Sequence, residues 1–190
     1  SLLHGHIPAI DTLMYLLGDP MVESVRGELR PRNLKIENNR LDSDPSAIYQ
    51  IEFSGGKEAW TIPAGHWDFE VIGSSGLVKG MNNGIDWSIR KPFSFGKRTV
   101  FREAEYPSCE PNSSTLFCLE DIVNAYEAER PTLGNVEVTH RATEICFAVA
   151  ESHRQGGTKL LSINTILVGY IHRLKTKSEV EDTKLSTHSQ

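Results

Sequence analysis

The sequence predicts an α+β domain: a mostly antiparallel β-sheet with helices packed on one face. A short amphipathic helical pattern opens the chain. Alternating apolar and polar residues then fill the stretch from about residue 20 to 106, and two longer helical patterns follow before a last apolar run. The turns between the alternating segments are short. Short turns join antiparallel neighbours, because parallel strands need a crossover of about a dozen residues or more. Alternation that is apolar on one side only calls for cover on one face, leaving the other face to solvent or a partner.

Ile10, Leu13, Met14 and Leu17 recur at i, i+3, i+4 and i+7, so residues 8–17 form a helix. Pro8 suits its first turn, and Gly18 suits the left-handed position after its end. Asp11 reads as a first-turn acid favoured by the helix dipole. Val25, Gly27 and Leu29 alternate with Arg26 and Glu28. Ala47, Tyr49, Ile51 and Phe53 alternate with Ile48, Gln50 and Glu52. Ser54-Gly55-Gly56-Lys57 is a hairpin turn into a strand at 58–62. Trp67, Phe69 and Val71 form the next strand, and the turn at 73–76 returns the chain through 77–81. Asn82-Asn83-Gly84 is a strong turn, since these residues tolerate positive φ. Strands at 87–90 and 98–105 complete the meander.

Leu119, Ile122, Val123 and Tyr126 share one helix face, with Ser113 or Ser114 as the cap and Pro131 as the stop. Asn112-Ser113-Ser114 matches a glycosylation sequon but reads as that helix-start turn. Val138, Ala142, Ile145, Cys146 and Val149 share the face of the next helix, which Gly156-Gly157 ends. His153, near that end, reads as solvated, and residues 159–163 as a final strand. Residues 1–163 are one domain. Residues 164–190 are a polar, flexible tail. Trp60, Trp67 and Trp87 are many large rings for so few strands. On an uncovered face they mark an interface, and the chain is expected to be a homo-oligomer through that face.

With 190 residues, a net charge of −5 and a pI near 5.8, the chain has no bulk field drawing it to nucleic acid or anionic membrane. No apolar run approaches the roughly 18 residues of a membrane span. Three cysteines without C-x-x-C spacing suit free thiols in a cytoplasmic protein, with Cys146 in the core. There is no G-x-G-x-x-G, P-loop, H-E-x-x-H or G-x-S-x-G, so no dinucleotide site is visible in this chain and no metal is expected.

His4-Gly5-His6 is the constellation with reactive potential, because imidazole exchanges protons near neutral pH. The bland alternative is a pair of solvated or capping histidines. His66-Trp67 sets a titratable ring beside a flat apolar one, as sugar sites do, against a strand-edge residue next to a core tryptophan. Asn82 serves its turn and is a further candidate substrate contact.

Three segments in order resemble one family. The first is His6-Ile7-Pro8-Ala9-Ile10-Asp11-Thr12-Leu13-Met14-Tyr15-Leu16-Leu17-Gly18. The second is Ile51-Glu52-Phe53-Ser54-Gly55-Gly56, with Trp67-Asp68-Phe69-Glu70-Val71-Ile72-Gly73-Ser74-Ser75-Gly76. The third is Leu119-Glu120-Asp121-Ile122-Val123-Asn124-Ala125-Tyr126, with the helix from Arg141-Ala142 to Glu151-Ser152. Over roughly residues 4–163 the chain resembles the C-terminal domain of the Gfo/Idh/MocA oxidoreductases, the glucose–fructose oxidoreductase and inositol dehydrogenase family. The implied fold is a dihydrodipicolinate-reductase-like C-terminal domain.

The resemblance implies a longer parent whose N-terminal Rossmann domain, absent from this chain, binds NAD or NADP. It implies an NAD(P)-dependent oxidoreductase acting on CH–OH groups of a sugar or polyol. This domain would supply substrate binding and oligomerisation, with His6 and His4 as catalytic residues and His66, Trp67 and Asn82 touching substrate. The fragment alone would be inactive. The chain departs from the family pattern in having Pro8 at the usual histidine position and His4 at the usual aspartate. Two other readings stand beside this one: a non-catalytic, partner-binding or regulatory module of the same fold, and a metal-dependent hydrolase using His4 and His6.

Overall fold

The computed structural model describes residues 2–36, 43–62, 67–106 and 113–161. In chain order the elements are α1 (His6–Leu17), β1 (Val22–Arg30), β2 (Ser46–Phe53), β3 (Lys57–Trp60), β4 (Phe69–Gly73), β5 (Gly76–Met81), β6 (Asp86–Phe95), β7 (Arg98–Ala104), α2 (Ser114–Glu127), α3 (Val136–Arg154) and β8 (Leu160–Leu161). Among the described residues every strand pair is antiparallel. The strands fall into two four-stranded sheets, ordered β3-β2-β1-β8 and β4-β5-β6-β7. The chain divides into two compact units: residues 1–63 with 134–190, and residues 64–133.

The first unit holds the core. Pairing sets Val25 opposite Ile51, Gly27 opposite Tyr49 and Leu29 opposite Ala47. That face is buried on both strands, as the alternation predicts. Ile145, Cys146 and Val149 of α3 and Ile10 and Met14 of α1 join the same apolar cluster. Each fully buried Ile, Leu or Val contributes roughly 1.5–3 kcal/mol over leaving it in water. Gln50 pairs with Trp60, on the opposite face to buried Ala59, and Trp60 is 67% exposed.

α1 ends as its glycine predicts. Gly18 is left-handed, its N–H donates to Tyr15 O (3.1 Å), and the Asp19 N–H donates to Met14 O (2.8 Å). Lys57 Nζ donates to Leu17 O at 2.7 Å, placing a cation on the negative helix end. The helix begins at His6, earlier than the apolar periodicity shows. Pro8 still falls in the first turn, where amides have no intrahelical acceptor. Asp11 consequently lies beyond the first turn, not within it.

Among the described residues β8 pairs with Ser24 and Val25 of β1. Past that point the buried Ser152 hydroxyl continues the bonding: it accepts from Gly27 N–H (3.0 Å) and donates to Thr158 O (2.6 Å). The strand expected at 159–163 is described only to Leu161; the rest lies outside the described residues, as does the predicted tail. His153 is half-buried, not solvated. Its Nε2 meets Leu34 O at 2.8 Å and ties the loop after β1 to α3.

In the second unit β6 runs on through Pro92 to Phe95, beyond the predicted stop at Arg90. Pairing with β5 ends at Arg90, so the rest of β6 is an edge on that side, a setting that tolerates proline. β4 starts at Phe69, leaving Trp67 in the preceding segment. The Phe69 ring lies over Gly80, where a Cβ would come within 2.6 Å of it, and meets Trp87 edge-on at 5.5 Å. Ser113 caps α2, accepting from Leu116 N–H at 3.3 Å. Leu119, Ile122, Val123 and Tyr126 share a face as predicted, yet each is more than half exposed; of the helix only Ala125 is buried. Sequence periodicity marks an apolar face without saying what covers it.

Ser152→Ala leaves the Gly27 N–H and the Thr158 carbonyl without their partner. It is expected to lower unfolding stability by about 1–3 kcal/mol, read as a shift of the urea midpoint at unchanged m-value.

Candidate functional site

His6 is the first residue of α1, whose N-cap, Gly5, offers no side-chain acceptor. The opening turn is held instead from across the unit. Asp44, just before β2, accepts from Leu3 N–H (2.8 Å) through Oδ1 and from His4 N–H (2.9 Å) through Oδ2. This clasp fixes the backbone that carries both histidines. Their side chains then part: the His4 side chain lies in an exposed residue, whereas His6 is half-buried against β2.

His6 Nδ1 lies 3.2 Å from the Tyr49 hydroxyl, and the rings meet edge-on at 5.3 Å and 72°. Tyr49 is 5% exposed. A buried phenol needs a partner for its polar end, and His6 supplies one. Burial pushes the Tyr49 phenol far above its ordinary range, so it keeps its proton. Burial also lowers the His6 imidazole below its ordinary value, outweighing the opposing pull of Asp44. His6 is therefore predominantly neutral at pH 7. A neutral imidazole with one nitrogen engaged can accept and return a proton through the other.

Burial raises the Asp11 carboxyl above its ordinary range, with Asp19 adding to the effect and Arg141 opposing it. Asp19 in turn pairs with Arg141 at 3.1 Å, joining the end of α1 to α3.

Of the other predicted site residues, His66 lies outside the described residues. Trp67, 48% exposed, donates its N–H to Asn83 Oδ1 at 3.2 Å. Asn82 has positive φ, its N–H donates to Asp68 Oδ1 (3.0 Å), and its side-chain amide donates to Asp86. These contacts brace the β5–β6 turn. Trp67 and Asn82 belong to the second unit, His4 and His6 to the first. Asp44 and Tyr49 were not singled out in the sequence. Tyr49 could have been: it is the one polar-tipped residue in the inward row Ala47, Tyr49, Ile51 and Phe53.

Among the described residues no group of three or more His, Cys, Asp or Glu is placed to hold a metal ion. The glycines at 73 and 76 belong to a β-hairpin, and Gly156-Gly157 follow a helix. Neither makes the strand-to-helix turn that seats a pyrophosphate. The described residues thus do not fit a dinucleotide. Cys118 is an exposed free thiol and Cys146 a buried one. No helix among the described residues is long and apolar enough to cross a membrane.

No family model matches the chain, and no curated protein matches it. Solved structures do. Aldose-aldose oxidoreductase from Caulobacter crescentus, complexed with glycerol, aligns with a TM-score of 0.60 at 15% identity, over 83% of this chain and 46% of that one. The chain shares the fold of about half of that structure. An NAD-binding protein from Listeria innocua gives 0.59 at 16% identity, over 84% of this chain and 47% of that one. UDP-N-acetylglucosamine 3-dehydrogenase from Acidithiobacillus ferrooxidans gives 0.54 at 14%, over 78% and 46%. The chain therefore spans about half the length of these structures. At such identities the likeness is one of fold, and it agrees with the Gfo/Idh/MocA resemblance read from the sequence.

Proposed function

We propose that this chain is the C-terminal, substrate-binding half of an NAD(P)-dependent, cytoplasmic dehydrogenase or reductase of sugars or polyols, inactive on its own. The observation that carries the reading is the His6–Tyr49 pair at the opening of α1, within a fold shared with sugar-handling oxidoreductases. A nicotinamide bound by the rest of the parent would supply the hydride chemistry. This chain handles the proton. His6, neutral at pH 7 and fixed through Nδ1, takes the hydroxyl proton at Nε2 as a carbinol becomes a carbonyl and returns it in the reverse direction. His4 remains the second catalytic candidate, and His66, Trp67 and Asn82 remain candidate substrate contacts as the sequence alone reads them.

In the full-length parent, His6→Ala is expected to lower kcat by about 10²- to 10⁴-fold. His153→Ala removes a structural bond to Leu34 and is expected to leave kcat within a few-fold of wild type. Steady-state assays of both variants on the parent's best sugar decide between the oxidoreductase reading and a non-catalytic module of the same fold. Equal activities would reduce His6 to a turn residue.

Self-association through the open sheet face belongs to the same proposal. Trp60 stands exposed on the face of the first sheet opposite buried Ala59, and Phe93 and Phe95 are exposed on the second. Sedimentation equilibrium is expected to show a dimer or larger species. A stable monomer at high concentration contradicts it.

A further inference from the structure

The second unit carries two uncovered surfaces of opposite sign. The first is the β6–β7 hairpin. Pairing with β5 stops at Arg90, so residues 91–102 run on as a two-stranded ribbon. Cross-strand partners share a face, and pairing sets Lys91 opposite Arg102, Phe93 opposite Val100 and Phe95 opposite Arg98. Rings and cations therefore stand together on one side. Phe93 is 45% exposed and Phe95 64%, and the Arg102 guanidinium lies 4.1 Å over the Phe93 ring. From Arg90 to Glu103 the sequence holds five cations and a single acid, within a chain of net charge −5.

The second surface is α2. Leu116, Leu119, Val123 and Tyr126 repeat in steps of three, four and three, the spacing of a seam that meets another element along its length. All four are exposed, Tyr126 by 86%. Glu120 and Glu127 run beside that seam, seven residues and thus about 10.5 Å apart along the helix. Arg98 and Arg102 lie four strand residues apart, about 13 Å. Long side chains close that difference. Among the described residues none of these two acids and two arginines is in an ion pair.

We propose that a second copy of this chain occupies both surfaces: the hairpin of one protomer lies against α2 of the other, and the reverse contact forms at the same time. The inference rests on the self-association proposed above and names its surface. One two-fold operation covers both surfaces on both copies, which is how isologous dimers close. The apolar seam of α2 meets the phenylalanine rings, and Arg98 and Arg102 meet Glu120 and Glu127. Hairpin against hairpin would instead set like charges together. A polyanion would cover the hairpin and leave the apolar seam bare.

Sedimentation equilibrium of the 190-residue chain tests the pairing by charge exchange. Wild type is expected to be a dimer that salt weakens, because exposed ion pairs are screened. The Arg98→Glu/Arg102→Glu chain and the Glu120→Lys/Glu127→Lys chain each set like charges together. Each is expected to raise the dimer dissociation constant by on the order of 10²-fold. Mixed in equal amounts, the two are expected to recover a 1:1 dimer, because both contacts then join opposite charges. Trp60→Glu, on the other sheet, is expected to leave the dimer intact. Circular dichroism matching wild type shows that each variant is folded. A charge-reversed chain that dimerises as tightly as wild type, a mixture that stays monomeric, or a dimer indifferent to salt overturns the proposal. So does a wild-type assembly larger than a dimer. A dimer lost only on Trp60→Glu overturns the hairpin–α2 surface and leaves self-association standing, whereas a monomeric wild type overturns both.

Discussion

β1 and α3 approach each other tightly at Gly27. A Cβ there would stand 2.7 Å from Val149 Cγ1 and 3.1 Å from Tyr49 Cβ. Because glycine has none, α3 lies directly on the strand. The Ser152 hydroxyl then reaches the Gly27 N–H, and Ile145, Cys146 and Val149 complete the core with α1. Gly27 is also the cross-strand partner of Tyr49. The residue that seats α3 is therefore the one beside which the Tyr49 ring must fit, and that ring receives His6. Packing and candidate chemistry meet at a single missing side chain.

Elements with strong local signals were legible in the sequence. The inward row of β2, the Gly18 stop of α1 and the positive-φ turn at Asn82-Asn83-Gly84 each follow from residue type and spacing alone. Gly27 was read as one more apolar strand position, since alternation does not reveal what crosses above it. The division of the meander into two sheets was invisible for a related reason: each hairpin is local, whereas sheet boundaries depend on pairings that never form. α2 shows the opposite limit. Its periodicity is sound, but an apolar face names no partner.

The candidate site was half legible. Histidines at a helix start announce proton chemistry, yet which one points inward is decided by partners distant in sequence. Asp44 and Tyr49 lie some forty residues on, and only folding brings them to the opening turn. His4 and His6 looked equivalent as letters. Burial against Tyr49 makes them different: His6 is half-buried with Nδ1 at the Tyr49 hydroxyl, whereas His4 is exposed. The likeness to solved structures 15% and 16% identical is one of fold, over about half of their length.

If the seat of α3 on Gly27 sets the environment of His6, a single methyl group at that position should be felt at the imidazole. The direct measurement is the His6 titration curve, by NMR, in Gly27→Ala chains whose amide spectrum shows them folded. The account predicts a His6 pKa moved up toward its solvent value, because lifting α3 loosens α1 and rehydrates the ring. A folded variant in which His6 titrates as in wild type would contradict it.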